Sequence, residues 1–265
     1  MGSLMTSTVT LGDGTRLQYH LDGPEGAPVL VLSNSIATTS AMWDPTVPML
    51  TDDLRVLRYD TRGHGGSDAP VGAYSMARLG RDVVELLDLL SIDHAHFCGL
   101  SLGGMVGQWL AVHEPHRVGR LILANTAAHL GPSNQWDARI ASLLSGEELS
   151  DTADRFLRNW FPAQLLTDER TVGPFRTTIT RMNRAGLAGC LAAVRDFDMR
   201  RTVSLVAAPT LVVVGEHDAV CLPEHGELIA RTVPSAQMIT LPVTHLSNVE
   251  APQAFTAAAR QFLLS

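Results

Sequence analysis

The sequence predicts an α/β fold, a mostly parallel sheet flanked by helices and interrupted by an inserted helical segment. Three observations carry this expectation. Short aliphatic, β-branched runs alternate with helix-length stretches along most of the chain, the pattern of strands joined by crossover helices. The strand signal then vanishes between residues 131 and 201 and resumes afterwards, so the helical stretch is an insertion between two strands of one sheet. Finally, 45% of the 265 residues are hydrophobic and 18% are charged, enough apolar material for one substantial core.

Each element follows in order. STVTLGDGTRLQYHLDG (7–23) reads as an antiparallel hairpin turned at Gly12-Asp13-Gly14. APVLVLSN (27–34) and LRVLRYD (54–60) are short apolar strands. SMARLGRDVVELLDLLSI (75–92) is an amphipathic helix, with Met76, Leu79, Val83, Leu86, Leu87 and Leu90 on one face and Ser75 as N-cap. HAHFCGLS (94–101) is a strand that runs into an apolar helix, and VGRLILANTA (118–127) is the next strand. Inside the insertion WDARIASLL, SDTADRFLRNWF and GLAGCLAAVRDF read as short helices with polar connections. APTLVVVGEHD (208–218) and AQMITLPVTH (236–245) restore the strands, and APQAFTAAARQFLL (251–264) closes with a helix. The expected organisation is a core of residues 1–130 and 202–265 with a helical cap of residues 131–201.

Composition excludes several classes of partner. A net charge of −7 with no run of lysines or arginines leaves no face to neutralise phosphates, which argues against nucleic acid and anionic membranes. Cys98, Cys190 and Cys221 are scattered and form no C-x-x-C pair. They read as reduced core thiols of a cytoplasmic protein, with no disulfide frame or zinc site. No signal peptide is expected, because no charged region followed by an apolar stretch opens the chain, and no apolar run approaches the roughly 20 residues of a membrane span. The opening MGSLMT fits an N-myristoylation pattern through Gly2 and Thr6. No basic cluster supplies a second anchoring signal, so it is read as coincidence or a cloning remnant. A small-molecule substrate is the expected partner, and the sequence leaves the oligomeric state open.

The chemistry centres on Gly99-Leu100-Ser101-Leu102-Gly103, which fits G-x-S-x-G between an apolar strand and an apolar helix. That context is the one a nucleophile elbow requires. The turn brings residues two before and two after the serine close together, which explains both glycines. Serine needs a base to take its proton, and ten histidines compete. His113 and His116 end the elbow's helix. His94 and His96 precede the strand at a spacing that could hold a metal, and His64 and His217 lie in turns from which they could act through another residue. His245 differs, because it ends the last strand at the sheet edge where ligands of parallel sheets bind. Asp218 ends the preceding strand and would orient the imidazole, with Glu216 as its rival. The chain order Ser101, Asp218, His245 is the order expected for an elbow serine. An oxyanion hole would combine the N–H of Leu102 with one from SNSIATTSAMWD (33–44), assigned to Ile36.

These segments resemble the α/β-hydrolase superfamily across essentially the whole chain, through YDTRGHGGSD (59–68), GLSLGG (99–104), GEHD (215–218) and THLSNVEAP (244–252). The resemblance implies eight strands with a helical cap after the sixth. Its serine nucleophile separates the chain from the dehalogenases and most epoxide hydrolases of that fold, which carry an elbow aspartate. A narrower resemblance, to 3-oxoadipate enol-lactonases, rests on VLSNSIATTSAMWDP, RVLRYDTRGHGGSDAP, HFCGLSLGGMVGQWLA, LANTAA, WDAR, NWF and THLSNVE. The polar Asn34-Ser35, where many superfamily members carry His-Gly, belongs to it, whereas residues 180–201 fit loosely. This resemblance implies hydrolysis of a carboxylate-bearing enol-lactone without cofactor or metal. Arg139 with Trp136 would bind the carboxylate, and Trp160 and Ser35 would contact substrate. Arg139 as a solvated helix residue and Trp160 as a cap-core residue remain the plain alternatives. So do another lactone, ester or carbon–carbon substrate, and a ligand receptor without catalysis.

Overall fold

The apolar runs become the strands of one eight-stranded sheet in a computed structural model that describes residues 6–265, so Gly2 and the lipidation pattern lie outside the described residues. The strands are β1 (Ser7–Thr10), β2 (Arg16–Asp22), β3 (Val29–Ser33), β4 (Arg55–Tyr59), β5 (Ala95–Leu100), β6 (Val118–Ala124), β7 (Thr210–Gly215) and β8 (Ala236–Leu241). Their spatial order is β1-β2-β4-β3-β5-β6-β7-β8. Only β1–β2 and β2–β4 pair antiparallel; every later pair is parallel. β7 is buried at every residue, as expected of a central strand covered on both faces.

Parallel strands need crossovers, and the helices supply them. They are α1 (Val47–Leu50), α2 (Met76–Leu89), α3 (Leu102–His113), α4 (Ser133–Leu144), α5 (Leu149–Trp160), α6 (Glu169–Thr180), α7 (Arg184–Asp196), α8 (Pro223–Thr232), α9 (Ser247–Glu250) and α10 (Pro252–Leu263). Ser75 caps α2 by accepting the N–H of Arg78, and the predicted apolar face of that helix is buried except for Leu90, which is half-buried. Asp82 on the same helix is also buried. It accepts Arg62 Nε and Nη2 at 2.5 Å each, tying the loop after β4 to α2. The apolar helix after β5 is α3, buried from Leu102 to Ala111.

Between β6 and β7 the chain forms four helices, α4 to α7. Three coincide with the expected ones. The fourth, α6, went unread because Gly173, Pro174 and several threonines mask its pattern, yet Val172, Phe175 and Ile179 bury one face at helical spacing. Among the described residues no helix is long and apolar enough to cross a membrane.

Because β3 and β5 to β8 run parallel, their carboxyl ends open at one edge. The segments beginning at Asn34, Ser101, Asn125, Glu216 and Pro242 all leave the sheet there. His94 and His96 sit at the opposite end, beside the start of β5.

The strand-to-helix turn at this edge makes a stability prediction. A Cβ on Gly99 would lie 2.1 Å from the carbonyl oxygen of Gly103, and neither backbone can yield. Gly99→Ala should therefore lower unfolding stability by about 3 kcal/mol or more, at the upper end of overpacking costs. Urea denaturation of the purified variant measures this; a loss under about 1 kcal/mol would contradict the close approach.

Candidate active site

The elbow is sharp. Ser101 joins β5 to α3 with φ 56° and ψ −115°, a left-handed backbone that a non-glycine residue holds only when its surroundings enforce it. Those surroundings are visible. The Ser101 N–H donates to the carbonyl of Ala124 at 3.0 Å, and Thr126 Oγ1 donates to the Ser101 carbonyl at 2.7 Å. Gly103 N–H donates to the carbonyl of Asn34 at 3.0 Å. A Cβ on Gly103 would meet the Ser33 carbonyl oxygen at 2.1 Å, so the turn also abuts the end of β3.

Asp218 and His245 meet as the sequence reading expects. His245 Nδ1 lies 2.8 Å from Asp218 Oδ2, and both residues are buried. The contact places the proton on Nδ1 and leaves Nε2 as the free acceptor. His245 Nε2 is buried and has no protein partner among the described residues. Asp218 accepts three further bonds: from the N–H of Val220 at 2.8 Å and of Cys221 at 3.0 Å on Oδ1, and from Asn125 Nδ2 at 3.0 Å on Oδ2. Burial alone would raise its pKa, but the charge and hydrogen bond of His245, with the bonds from Asn125 and the Val220 N–H, hold it below the ordinary carboxylate value. Glu216 is exposed, as is His217, and Asp218 takes the place for which Glu216 was the rival.

One cavity is lined by Ser101, His245, Ile36, Leu102, Trp136, Arg139 and Trp160. Neither the Ile36 nor the Leu102 N–H donates to a protein acceptor among the described residues. Leu102 begins α3, where a first-turn N–H has no partner inside the helix. Trp136 Nε1 donates to the Leu130 carbonyl at 2.7 Å, which fixes its ring, and the Arg139 guanidinium lies over that ring at 5.0 Å. Arg139 is half-buried and has no carboxylate partner among the described residues. Burial and the neighbouring charge of Arg155 lower its pKa, against the pull of Glu147. Trp160 is buried, and its carbonyl accepts from Thr244 Oγ1 at 2.6 Å and from the His245 N–H at 3.3 Å. The end of α5 is thus bonded to the histidine loop.

Ser35 departs from expectation. It is buried and does not line the cavity. Its N–H donates to Met42 Sδ at 3.3 Å and its carbonyl accepts from Thr38 Oγ1 at 2.7 Å, so its backbone shapes the loop. The other histidines lie away from the cavity. His113 is exposed and stacks on Trp109, His116 is exposed, and His94 and His96 stand edge to face; no three potential metal ligands gather among the described residues. Two polar residues were not assigned from the sequence: Asn125, within LANTAA, which holds Asp218 from a left-handed position at the end of β6, and Asn159, which lines the cavity beside Arg139. A polar residue directly after a buried parallel strand is the signal that marks Asn125.

Comparison with known proteins identifies the family. A family profile described as "alpha/beta hydrolase fold" matches residues 28–252. The chain is 37% identical over 252 residues to "3-oxoadipate enol-lactonase 2" of Acinetobacter baylyi, covering 95% of this chain and 94% of that protein. The structure of a hydrolase from Pseudomonas aeruginosa PA01 matches with a TM-score of 0.97 at 54% identity, covering all of both chains. That of the enol-lactonase from Burkholderia xenovorans LB400 matches with a TM-score of 0.95 at 37% identity, over 98% of this chain and 100% of the other. With its eight-stranded, mostly parallel sheet and its G-x-S-x-G turn, the chain belongs to the α/β-hydrolase family.

Proposed function

We propose that this chain is a serine hydrolase that opens a carboxylate-bearing enol-lactone, 3-oxoadipate enol-lactone, to 3-oxoadipate. The observation that carries the reading is a single cavity containing Ser101, the ring of His245 with its free Nε2, the unpaired N–H groups of Ile36 and Leu102, and the unpaired guanidinium of Arg139. Relatives named for enol-lactonase activity support the specific substrate.

The chemistry follows from these groups. Ser101 Oγ attacks the lactone carbonyl carbon as its proton passes to His245 Nε2, and Asp218 stabilises the imidazolium from Nδ1. The negative oxygen of the tetrahedral intermediate accepts from the N–H of Ile36 and Leu102, in place before charge develops. Collapse breaks the ring C–O bond, and the departing enol oxygen takes the proton from His245. The enol then becomes a ketone, which makes ring closure unfavourable. Water, deprotonated by His245, cleaves the acyl-enzyme, frees the new carboxyl group and restores the Ser101 hydroxyl. Arg139 pairs with the carboxylate already present on the substrate, held over the Trp136 ring. The helices from residue 131 to 201 act as a cap that walls the site.

Two variants test the assignment. Ser101→Ala should abolish turnover and leave substrate binding nearly intact, read by steady-state assay and by calorimetry with the intact lactone. Asp218→Asn should lower kcat by roughly 10⁴-fold, the cost of presenting the wrong imidazole tautomer. Retention of more than a tenth of the activity would remove Asp218 from the mechanism.

The substrate claim has its own test. Arg139→Gln should raise KM for the carboxylate-bearing lactone about 10- to 100-fold, equivalent to roughly 1.5–3 kcal/mol for a charged hydrogen bond, and leave a neutral lactone unaffected. A panel that adds aryl esters and carbamates reads the alternative. Faster turnover of one of these than of 3-oxoadipate enol-lactone would replace the substrate while keeping the serine chemistry.

A further inference from the structure

One buried histidine outside the cavity is bonded directly to the loop that carries Ile36. His64, in the turn after β4, is 2% exposed. Its Nε2 accepts the N–H of Ala37 at 2.9 Å, and its Nδ1 faces the carbonyl of Arg62 at 3.3 Å. An N–H donor at one nitrogen and a carbonyl at the other fit only the neutral Nδ1–H tautomer. Burial favours the same neutral form by lowering the pKa, against the Arg62 carbonyl and the charge of Asp60.

Ala37 follows Ile36 and has φ 59° while fully buried. A left-handed alanine persists only where neighbours enforce it. The neighbouring positions are held by other partners. Ser35 N–H and Thr38 Oγ1 donate to Met42 Sδ, and Asn34 bonds Tyr59 and Trp43. The Ala37 N–H goes to His64.

We infer that His64 is a positioning residue: by accepting the Ala37 N–H, its Nε2 holds the left-handed turn that aims the Ile36 N–H into the Ser101 cavity. The inference rests on the proposed role of Ile36 as an oxyanion donor. The other side of the ring connects to α7. Cys190 Sγ lies 3.9 Å from His64 Nδ1 and 3.6 Å from the Arg62 carbonyl oxygen. Gly63, beside the histidine, meets Gly186 backbone to backbone, and a Cβ there would stand 2.7 Å from Gly186 Cα. Helix α7 thereby seats the histidine, and the histidine seats the oxyanion loop.

His64→Phe and His64→Gln separate this role from general packing. Phenylalanine keeps the ring volume without an acceptor, whereas glutamine returns an acceptor oxygen near the place of Nε2. His64→Phe should lower kcat about 10- to 100-fold, below the loss for deleting an oxyanion donor outright, with KM changed less than about threefold. Affinity for an alkyl boronic acid, which mimics the tetrahedral intermediate on Ser101, should fall in parallel, and His64→Gln should recover most of both. Unchanged kcat and boronate affinity in His64→Phe would overturn the inference, as would losses of kcat, KM and melting temperature that glutamine does not rescue. Imidazole ¹⁵N spectra of the unaltered protein test it independently of any variant. His64 should be the neutral Nδ1–H tautomer at neutral pH, and an Nε2–H or doubly protonated ring would refute it. An unaltered protein that neither binds the boronate nor hydrolyses any lactone or ester would instead defeat the hydrolase reading, with the His64 tautomer unaffected.

Discussion

Backbone touches backbone where Ser101 turns, and the rest of the site is arranged around that contact. Gly99 has no room for a Cβ because Gly103 folds back over it, and Gly103 has none because the Ser33 carbonyl is already there. The same approach lets Gly103 N–H reach the Asn34 carbonyl, so the serine turn and the end of β3 form one seam. The segment leaving that seam, Asn34 to Ala37, carries Ile36, which lines the same cavity as Ser101. One steric condition therefore places Ser101 and the loop of the proposed oxyanion donor beside each other. The left-handed strain at Ser101 is sustained by bonds to Ala124 and Thr126 from β6 and the residues after it.

Hydrogen bonding then selects which atoms stay free. Asp218 is surrounded by donors from Asn125, Val220, Cys221 and His245, so it has no need to reach elsewhere and holds the imidazole in one orientation. The Trp160 carbonyl fixes the backbone on which that imidazole stands. What remains unpartnered includes His245 Nε2, together with Ser35 Oγ in the loop after β3 and Ser247 Oγ and Asn248 Oδ1 in α9. Buried polar atoms without partners are costly. The cost at Nε2 would be offset by a hydroxyl that supplies a proton to accept, the role the proposed mechanism gives to Ser101.

The legible part of the site is the part tied to strand ends. Ser101, Asp218 and His245 each follow a strand whose apolar run is plain in the sequence, and parallel pairing alone gathers such positions at one edge. Ile36 and Leu102 follow from the same placement because they contribute backbone, whose direction depends little on side-chain identity. Ser35, whose side chain and not its backbone would have to reach a substrate, is buried and is not among the cavity's lining residues; no spacing rule encodes where such a side chain points. Asn125 bonds Asp218 and the Thr244 carbonyl, and His64 bonds the Ala37 N–H, all distant in sequence, a relation that only the folded chain creates. Helix α6 escaped because Gly173 and Pro174 speak against a helix locally, while burial of Val172, Phe175 and Ile179 decides for one.

Charge gives the lactonase reading a direction. The protein carries a net charge of −7, so an anionic substrate meets no general attraction and depends on a local cation. The proposed function assigns that role to Arg139, which is half-buried, unpaired among the described residues, and held over Trp136 where water screens it less than at the surface. It can neutralise one carboxylate. Hydrolysis of the proposed acyl-enzyme would create a second at the Ser101 end of the cavity, on the side where Asp218 is held below its ordinary pKa. No second free guanidinium faces that end of the cavity among its lining residues. Under the proposed function the product would be bound less favourably than the substrate by the charge it gained, so an arrangement suited to a monoanion would also favour release of the dianion.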